Sequence, residues 1–468
     1  MMLALVVAAA LAASPRPLPN ADSGLYAPRL DRLSGLLAFM ARAGERSATL
    51  RPSTWFSELH PLVELDLTRP ESLASAGVDP QGSATVSWRE DGRMSCVDLS
   101  DPKRFEDRAK QRLAGLGTLW EGRLGGGPVV AAKSPEGRIL AGYARKGNAS
   151  CAVASMRDAK QLLEGAVGAL SQAKVGGSWA QLGGGSRALG GAIFFVTRDG
   201  AVGLDGTPRA LTADGRARLP APGLAKGGQS PYALAGSAGL VAMRAQVAKG
   251  DLPRAVHSLT GSIASLCARC GRADVAALEQ AIAERLTGHV FLLVQAVNAS
   301  GRLRSEADRY FALRHAWLAE VDDAAAAKAA LERARGLPGA RATGAGFAIA
   351  VPGGEIALGL HGRHLFVAND SSALKAALDG LSQRPSPLAH GAELSLDPER
   401  TSRALASISL LDVMGSKEMA GLFALGAEVG PLLSITESVH AFADGDGSSP
   451  HRIGMTWTLR GESSSSRP

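Results

Sequence analysis

The second half of the chain contains a serine and a lysine at a spacing that can support nucleophilic catalysis. In Ser372-Ala373-Leu374-Lys375, the lysine amine can activate the serine hydroxyl when both lie on one helical turn. Enzymes that use this pair also need a Lys-Thr-Gly strand and a Ser-x-Asn turn, and the sequence contains neither. We therefore interpret Ser372 as an ordinary residue of a first helical turn, and we predict no catalytic residue.

Two histidines flank a predicted turn in the segment His361-Gly362-Arg363-His364. Two imidazoles can begin a zinc site, but such a site needs a third or fourth ligand that the fold must supply. No neighbouring residue in the sequence supplies one. We interpret both as exposed turn histidines, and we predict no metal ligand and no cofactor site.

Cys267-Ala268-Arg269-Cys270 is a lone Cys-x-x-Cys motif. Zinc sites usually need a second pair, and a thioredoxin-like redox site needs the pair at a helix N-terminus after a strand. This pair lies near the end of a predicted helix, which favours a local structural disulfide in an oxidising compartment. A zinc site and a redox site stay open as alternatives.

Other common site motifs are missing or have a structural explanation. The sequence contains no phosphate-binding loop of the Gly-x-x-x-x-Gly-Lys-Ser/Thr type. The paired carboxylates Asp322-Asp323 and Asp444/Asp446 fall at a predicted helix start and in a predicted turn. Capping and turn formation explain both pairs without catalysis.

The composition is that of a globular protein, since 46% of the 468 residues are hydrophobic and 20% are charged. The length predicts about two to three domains. The net charge is +7, but basic and acidic residues are interspersed. Nucleic-acid binding needs Lys and Arg gathered on one face, so we predict no nucleic-acid partner.

The first thirteen residues, MMLALVVAAALAA, form an apolar run that is too short to cross a bilayer. Such a run, ending in small residues, is typical of a signal peptide, so we predict a signal at residues 1–13. No Lys or Arg precedes the run, and a buried N-terminal helix is the alternative. We predict a periplasmic or secreted protein with no transmembrane segment in the mature chain.

One sequence pattern occurs twice in the chain. Residues Gly353–Gln383 predict a strand, a tight turn, a second strand and a helix, and Gly137–Gln172 repeats the pattern. In this alignment Lys160 corresponds to Lys375, and the helix cap Asp101 corresponds to Asp322. We infer two copies of one module.

The repeat predicts an α+β fold of two related modules, each an antiparallel β-sheet flanked by helices. A Gly-, Pro- and Ala-rich stretch at residues 206–230 is the predicted linker. The first module, with an N-terminal helix, then spans residues 14–205, and the second spans residues 231–460. The polar residues 461–468 are a predicted disordered tail.

The repeat also predicts a disulfide between Cys96 and Cys151. Their counterparts in the second module are Trp317 and Phe366, which are both large and apolar, so both positions should face the core. If Trp317 and Phe366 pack together, the two cysteines meet at the equivalent place. The alternative is a pair of buried free thiols.

The stretch Pro70–Asp79 (PESLASAGVD), the hairpin and Asp-capped helix that follow, and the segment VANDSSALKAAL at Val367–Leu378 resemble exported bacterial proteins of unknown function. Those proteins are built from duplicated α+β modules. The resemblance implies export and carries no catalytic motif. We predict a non-catalytic envelope protein that binds a protein partner or an apolar ligand. A hydrolase whose site is assembled only by the fold is the alternative.

Overall fold

The computed structural model describes the following residues: 23–52, 56, 60–67, 69–89, 92–171, 191–197, 200–217, 222–225, 227–234, 239–267, 270–297, 310–407, 427, 429–445 and 451–461. The predicted signal peptide and residues 462–468 of the predicted tail lie outside these ranges. No helix within them is long and apolar enough to cross a bilayer.

The chain divides into two compact units after Ala217. The sequence placed a linker at residues 206–230, but Gly206 and Thr207 end one strand, and Ala210–Ala217 forms the next. These residues pair as a hairpin, in which alternating side chains such as Leu211 and Ala213 are buried. The predicted linker is therefore wrong for residues 206–217, because this Gly-containing stretch forms a β-hairpin.

The first unit contains four α-helices and ten strands in its described residues. The helices are α1 Ser34–Gly44, α2 Pro70–Ser75, α3 Pro102–Ala114 and α4 Lys160–Ser171, with 3-10 turns at Leu30–Leu33 and Ala48–Leu50. The strands are β1 Ser23–Ala27, β2 Ala84–Arg89, β3 Gly92–Asp98, β4 Thr118–Leu124, β5 Gly127–Lys133, β6 Ile139–Lys146, β7 Ala149–Ser155, β8 Ile193–Thr197, β9 Gly200–Thr207 and β10 Ala210–Ala217.

The second unit contains five α-helices and twelve strands in its described residues. The helices are α5 Leu252–Leu266, α6 Arg272–Ala283, α7 Ala324–Leu331, α8 Ser371–Asp379 and α9 Pro398–Ala406, with 3-10 turns at Lys249–Asp251 and Glu332–Gly336. The strands are β11 Gln229–Tyr232, β12 Val241–Gln246, β13 Leu286–Val297, β14 Leu313–Val321, β15 Ala340–Thr343, β16 Gly346–Val351, β17 Gly354–His361, β18 His364–Ala368, β19 Leu381–Pro387, β20 Ala392–Leu396, β21 Thr436–Asp444 and β22 His451–Leu459.

Every strand pair within each unit is antiparallel. In the first unit the order across the sheet is β10-β9-β8-β1-β2-β3-β7-β6-β5-β4. In the second it is β22-β21-β20-β12-β13-β14-β18-β17-β16-β15. Among the described strands, β11 and β19 pair only with each other, and we call this two-stranded element the ribbon. When the ribbon is left out, the two sheets have the same topology: strands that come at the same place in each unit's sequence occupy the same place in its sheet.

The second-unit sheet is covered by helices on both faces. Helix α8 packs on the face that carries Phe291, Leu318 and Phe366. Helices α5, α6 and α7 pack on the opposite face, which carries alternating residues such as Ala319 and Val367. In a strand, successive side chains point to opposite faces, so β14 and β18 contribute to both cores.

The helices α3 and α7 begin at equivalent places in the two units, and aspartates cap both. Asp101 Oδ1 accepts a hydrogen bond from the backbone N of Arg104 at 3.0 Å. In the second unit the cap is Asp323, whose Oδ1 accepts from Ala325 N at 2.8 Å and from Ala326 N at 3.0 Å. The sequence alignment placed Asp322 here, and it is wrong by one residue.

We expect Asp323→Ala to destabilise α7, because two backbone donors of its first turn lose their acceptor. Asp322→Ala should leave α7 intact. The backbone N of Asp322 donates a hydrogen bond to Arg285 O at 2.9 Å, and the substitution keeps this bond. Hydrogen exchange of the α7 amides in the two variants is the measurement. Faster exchange in Asp322→Ala, with none in Asp323→Ala, would contradict the assigned cap.

Candidate functional site

Four polar side chains lie on adjacent strands at one end of the second-unit sheet. They are Gln246 on β12, His289 on β13, Glu320 on β14 and His364 on β18. Gln246 is the direct cross-strand partner of His289, and Glu320 is the partner of His364. Cross-strand partners point to the same face, so the four side chains form one group, which we call the polar row.

A bulge in β13 brings His289 and Glu320, the two central members of the polar row, together. Leu286 pairs with Val321 and Val290 pairs with Ala319, so three residues of β13 lie opposite Glu320 alone. Bulges of this kind are frequent beside functional sites. Two of the three residues, Thr287 and His289, thereby flank the same carboxylate.

The geometry of the bulge depends on its middle residue, Gly288. Its φ is +105°, and a Cβ at this position would lie 2.5 Å from the carbonyl oxygen of Val247. Only glycine fits there. Next to it, Thr287 Oγ1 donates a hydrogen bond to Glu320 Oε2 at 2.9 Å. The threonine therefore occupies one oxygen of the carboxylate.

The ribbon lies over this end of the sheet. Tyr232 of β11 is only 1% exposed, and its ring stacks on Phe291 with centroids 5.3 Å apart. Its hydroxyl lies 3.2 Å from His364 Nδ1, within hydrogen-bonding distance. The tyrosine thus ties the ribbon to the polar row.

A buried ion pair attaches the ribbon to the sheet. Arg244 Nε and Nη2 donate to Glu393 Oε2 at 2.9 and 2.7 Å, and both side chains are largely buried. The same guanidinium donates to the carbonyl oxygens of Tyr232 and Pro387, each at 2.9 Å, and contacts Ser386 Oγ. One arginine therefore connects both ribbon strands to the sheet.

The imidazoles of the polar row are neutral bases at neutral pH. Burial lowers the pKa of both His289 and His364, and the carboxylate of Glu320 offsets only part of this effect. Burial also raises the pKa of Tyr232 well above its ordinary value, so the phenol keeps its proton. The row therefore places neutral imidazoles beside the carboxyl group of Glu320.

The sequence interpretation of the two turn histidines was right for His361 and wrong for His364. His361 is exposed, whereas His364 is half-buried beneath the ribbon. The sequence could not supply companions for His364 because Glu320 and His289 come from other strands. Within the described ranges, no group of three His, Cys, Asp or Glu residues is placed to hold a metal ion.

The Ser-x-x-Lys pair lies in the first turns of α8, on the exposed surface. The backbone N of Ser372 donates to Asp370 Oδ1 at 2.9 Å, which is ordinary N-capping. Lys375 Nζ pairs with Asp379 Oδ2 at 2.5 Å, one helical turn further on. The lysine amine is thus engaged by a carboxylate rather than by the serine.

The structure joins Cys96 to Cys151 as cross-strand partners on β3 and β7, with Cα atoms 4.0 Å apart. Both are buried in the core beneath α4. The counterpart of this pair in the second unit is Leu318 with Phe366. The sequence placed Trp317 there, but Trp317 pairs with Val367 on the opposite face, which follows from the same one-residue error as Asp322.

Cys267 and Cys270 form the second disulfide, with Cα atoms 5.3 Å apart. The pair directly follows α5, and Cys267 is buried. Its position after a helix, rather than at a helix N-terminus after a strand, is that of a structural bridge.

The first unit contains a cavity of about 620 Å³ between α1 and the loop that follows it. The apolar part of its lining includes Ala41, Pro52, Phe56, Leu65 and Leu67. The polar part consists of Glu45, Arg51, Glu64 and Asp66. Ligand pockets typically have such volumes and combine an apolar lining with a few polar groups.

Comparison with known proteins leaves the family open. No family model matches the chain, and no curated protein matches it. Among solved structures, the one titled "Structure of crystal form I of TP0453" matches this chain with 10% sequence identity and a TM-score of 0.19. The match covers 78% of this chain and 95% of that chain. A TM-score this low gives no basis for transferring a fold or a function, so the resemblance to exported bacterial proteins stays an expectation.

Proposed function

We propose that the protein is an exported, non-catalytic binding protein that holds an apolar ligand in the cavity of its first unit. The observation that carries the proposal is the cavity itself. Its volume of about 620 Å³ suits a small molecule, and Phe56, Leu65 and Leu67 supply apolar walls. The carboxylates of Glu64 and Asp66 in the lining would orient a polar end of the ligand.

Export is supported by the two disulfides, one in each unit. Disulfides persist in the periplasm and outside the cell and are rare in reducing compartments. The apolar run at residues 1–13, although outside the described residues, is the segment that would direct export. We therefore propose a periplasmic or secreted location.

We also propose that the two units arose by duplication of one module. The shared strand path supports this, and so do the aspartate caps Asp101 and Asp323. A duplicated scaffold explains why the two units can carry different sites: the first has the cavity, and the second has the polar row and the ribbon.

We expect Ala41→Trp to abolish apolar ligand binding. Ala41 lines the cavity from α1, on an exposed position where a larger side chain can enter the cavity without disturbing the core. Binding is measured by titration of an uncharged environment-sensitive dye, N-phenyl-1-naphthylamine, because a fatty-acid carboxylate would be repelled by Glu45, Glu64 and Asp66 in the lining. The matched control is Ala114→Trp, at an exposed position ending α3 of the same unit.

Wild type and Ala114→Trp should bind the probe alike, and Ala41→Trp should lose at least about tenfold in affinity, because the indole takes up the space of the ligand. Equal binding by all three proteins would place the apolar site elsewhere. Absence of binding to wild type by the dye and by a series of fatty alcohols and sterols would contradict the proposal.

A further inference from the structure

The outermost strand of the first-unit sheet, β4, has one open edge. It pairs with β5 and with no other strand in the described part of the chain. Its side chains are accessible, since Leu119 is 39% exposed and the Glu121 side chain is 59% exposed. An open edge presents a row of backbone N–H and C=O groups that can pair with another strand.

The turn that ends β4 determines which backbone groups face outward. Leu124 pairs with Gly127 across a two-residue turn, whose residues have φ of +55° and +84°. The residues that flank such a turn bond to each other, and the direction of bonding alternates along the strand. Pro128, which has no N–H, fits this alternation because it lies opposite Arg123, in a pair that needs no bond. The backbone groups that point away from β5 are therefore those of Leu119, Glu121 and Arg123.

The equivalent edge of the second unit is closed. Its strand β15 has four residues, whereas β4 has seven. Counting back from the two turns places Pro338, without an N–H, at the position of Leu119. Ala340 falls at the position of Glu121, and its N donates to Leu337 O at 3.1 Å. Short strands and prolines are common ways to block an edge. Within the described residues, the outward N–H groups of β4 have no such internal acceptor.

The sequence of β4 is complementary to itself. If two copies of β4 pair antiparallel around Gly122, Glu121 of each copy lies opposite Arg123 of the other, and Trp120 lies opposite Leu124. Glu121 and Arg123 both point outward, so their backbone groups can bond. Centring the pairing on Glu121 or on Arg123 would bring two like charges together. Centring it between two residues would set an outward-pointing residue opposite an inward-pointing one, and the hydrogen bonds could not form.

The other charges near this edge balance. The charged side chains of α3 and β6 around Glu121 are two cations and two carboxylates, namely Lys110, Arg145, Glu106 and Asp107. Lys110 Nζ lies 2.6 Å from Glu121 Oε1, and a carboxylate has two oxygens that can each accept more than one bond. Arg123 uses one of its N–H groups on a carbonyl oxygen of its own turn, at 2.6 Å, and a guanidinium has five. Both members of the proposed pair can therefore bond across the edge.

The other face of β4 is suited to a close approach at Gly122. A Cβ at this position would lie 2.2 Å from the ring of Trp120, so the ring covers the glycine. On the same face, Lys133 Nζ lies 4.0 Å from the centroid of that ring. Lys133 pairs with Thr118, at the far end of the strand from Leu124. In the symmetric arrangement the two tryptophan rings would adjoin over the central glycines.

We infer that β4 pairs antiparallel with β4 of a second copy of this chain, centred on Gly122. The pairing forms about four backbone hydrogen bonds, two for each Glu121–Arg123 pair. It joins two first-unit sheets along their open edges. The dimer does not depend on the apolar cavity, because no residue of β4 lines it.

The test is sedimentation velocity of the full-length protein over a dilution series, with hydrogen exchange at the two ends of the series. We expect dimers at high concentration that dissociate on dilution. Amides of β4 should exchange more slowly in the dimer, whereas those of β15 should not change. A wild type that stays monomeric at about 0.5 mM would overturn the inference.

Charge reversal tests the register. Arg123→Glu should weaken dimerisation at least tenfold, because it sets a carboxylate opposite Glu121 of the other copy. Glu121→Arg should weaken it likewise. The two changes combined restore opposite charges and should restore the dimer. The matched control is Ala342→Glu, which puts the same carboxylate at the equivalent position of β15 and should dimerise as wild type does.

Three outcomes would contradict the inference. If Arg123→Glu dimerises as wild type does, the dimer uses another surface. If the combined variant is folded by circular dichroism but monomeric, the register is wrong. If the charge-reversed variants do not fold, Arg123→Pro decides, since an edge strand tolerates proline. That variant lacks one outward N–H and the guanidinium, so unchanged dimerisation in it excludes β4.

Discussion

Arg244→Met is expected to lower the free energy of unfolding of the second unit by about 3–5 kcal/mol. The substitution keeps an unbranched apolar stem but removes the guanidinium, which leaves Glu393 buried without its partner. It also removes the donors for the carbonyl oxygens of Tyr232 and Pro387, so the ribbon loses its attachment. Urea titration with hydrogen exchange of β12 and β20 peptides measures the loss within this unit.

Arg403→Ala is the matched control, because Arg403 pairs with Glu399 at 3.4 Å on the exposed surface of α9. Exposed pairs contribute about 0–1 kcal/mol, so its effect should be small. A loss in Arg244→Met no larger than in Arg403→Ala would show that the buried pair does not hold the ribbon.

The first unit suggests a rescue of the Arg244 variant. At the positions equivalent to Arg244 and Glu393, it has Tyr26 and Phe194, whose rings stack with centroids 6.2 Å apart. Replacing a buried ion pair by apolar residues is often neutral, whereas removing one partner is costly. Arg244→Tyr combined with Glu393→Phe should therefore be more stable than Arg244→Met alone.

Loss of the Cys96–Cys151 disulfide, by Cys96→Ala with Cys151→Ala, should lower the stability of the first unit by about 4 kcal/mol. The bridge closes a loop with a sequence separation of 55, so it restricts the unfolded chain strongly. The double substitution also removes buried sulfur from the core under α4. Urea titration with exchange of β3 and β7 peptides is the measurement.

The second disulfide is the internal control. Cys267 and Cys270 are only three residues apart, so their bridge should contribute less than about 2 kcal/mol. Equal losses for the two double variants would contradict the loop-entropy explanation. No loss for the Cys96 and Cys151 variant would contradict a structural role for that bridge.

Local signals predicted many elements correctly. The segment Gly353–Gln383 forms the predicted strands β17 and β18 and helix α8, because Gly362 adopts the positive φ of a tight turn and Asp370 caps the helix. The α+β class follows from such alternations. A tight turn and a helix cap depend on residues that are close together in the sequence, so both can be predicted from it.

Register between distant strands was less predictable. Aligning Asp101 with Asp322 rather than Asp323 shifted the inferred counterpart of Cys96 by one residue, and a one-residue shift moves a strand residue to the other face. The counterpart of Cys151, Phe366, was inferred correctly. Trp317 was therefore assigned to the face that Leu318 occupies. Trp317 and Leu318 are both large and apolar, so residue type alone does not show which of them is the counterpart of Cys96.

The polar row was missed because its members come from four separate strands. His364 was noticed for its place in a turn, but Glu320 and His289 join it only through pairing across β13, β14 and β18. One local signal was available, namely Gly288 between Thr287 and His289 at the start of strand β13. An isolated glycine there indicates a bulge, and bulges often mark sites.

Native mass spectrometry of the exported protein tests the proposed binding function most directly. We expect wild type to carry one apolar molecule per chain, released by organic extraction, and Ala41→Trp to carry none, because its indole fills the cavity beside α1. The Ala114→Trp control should keep the molecule. A ligand-free wild-type chain after reloading with cell lipids, or the same bound mass in Ala41→Trp, would contradict the proposal.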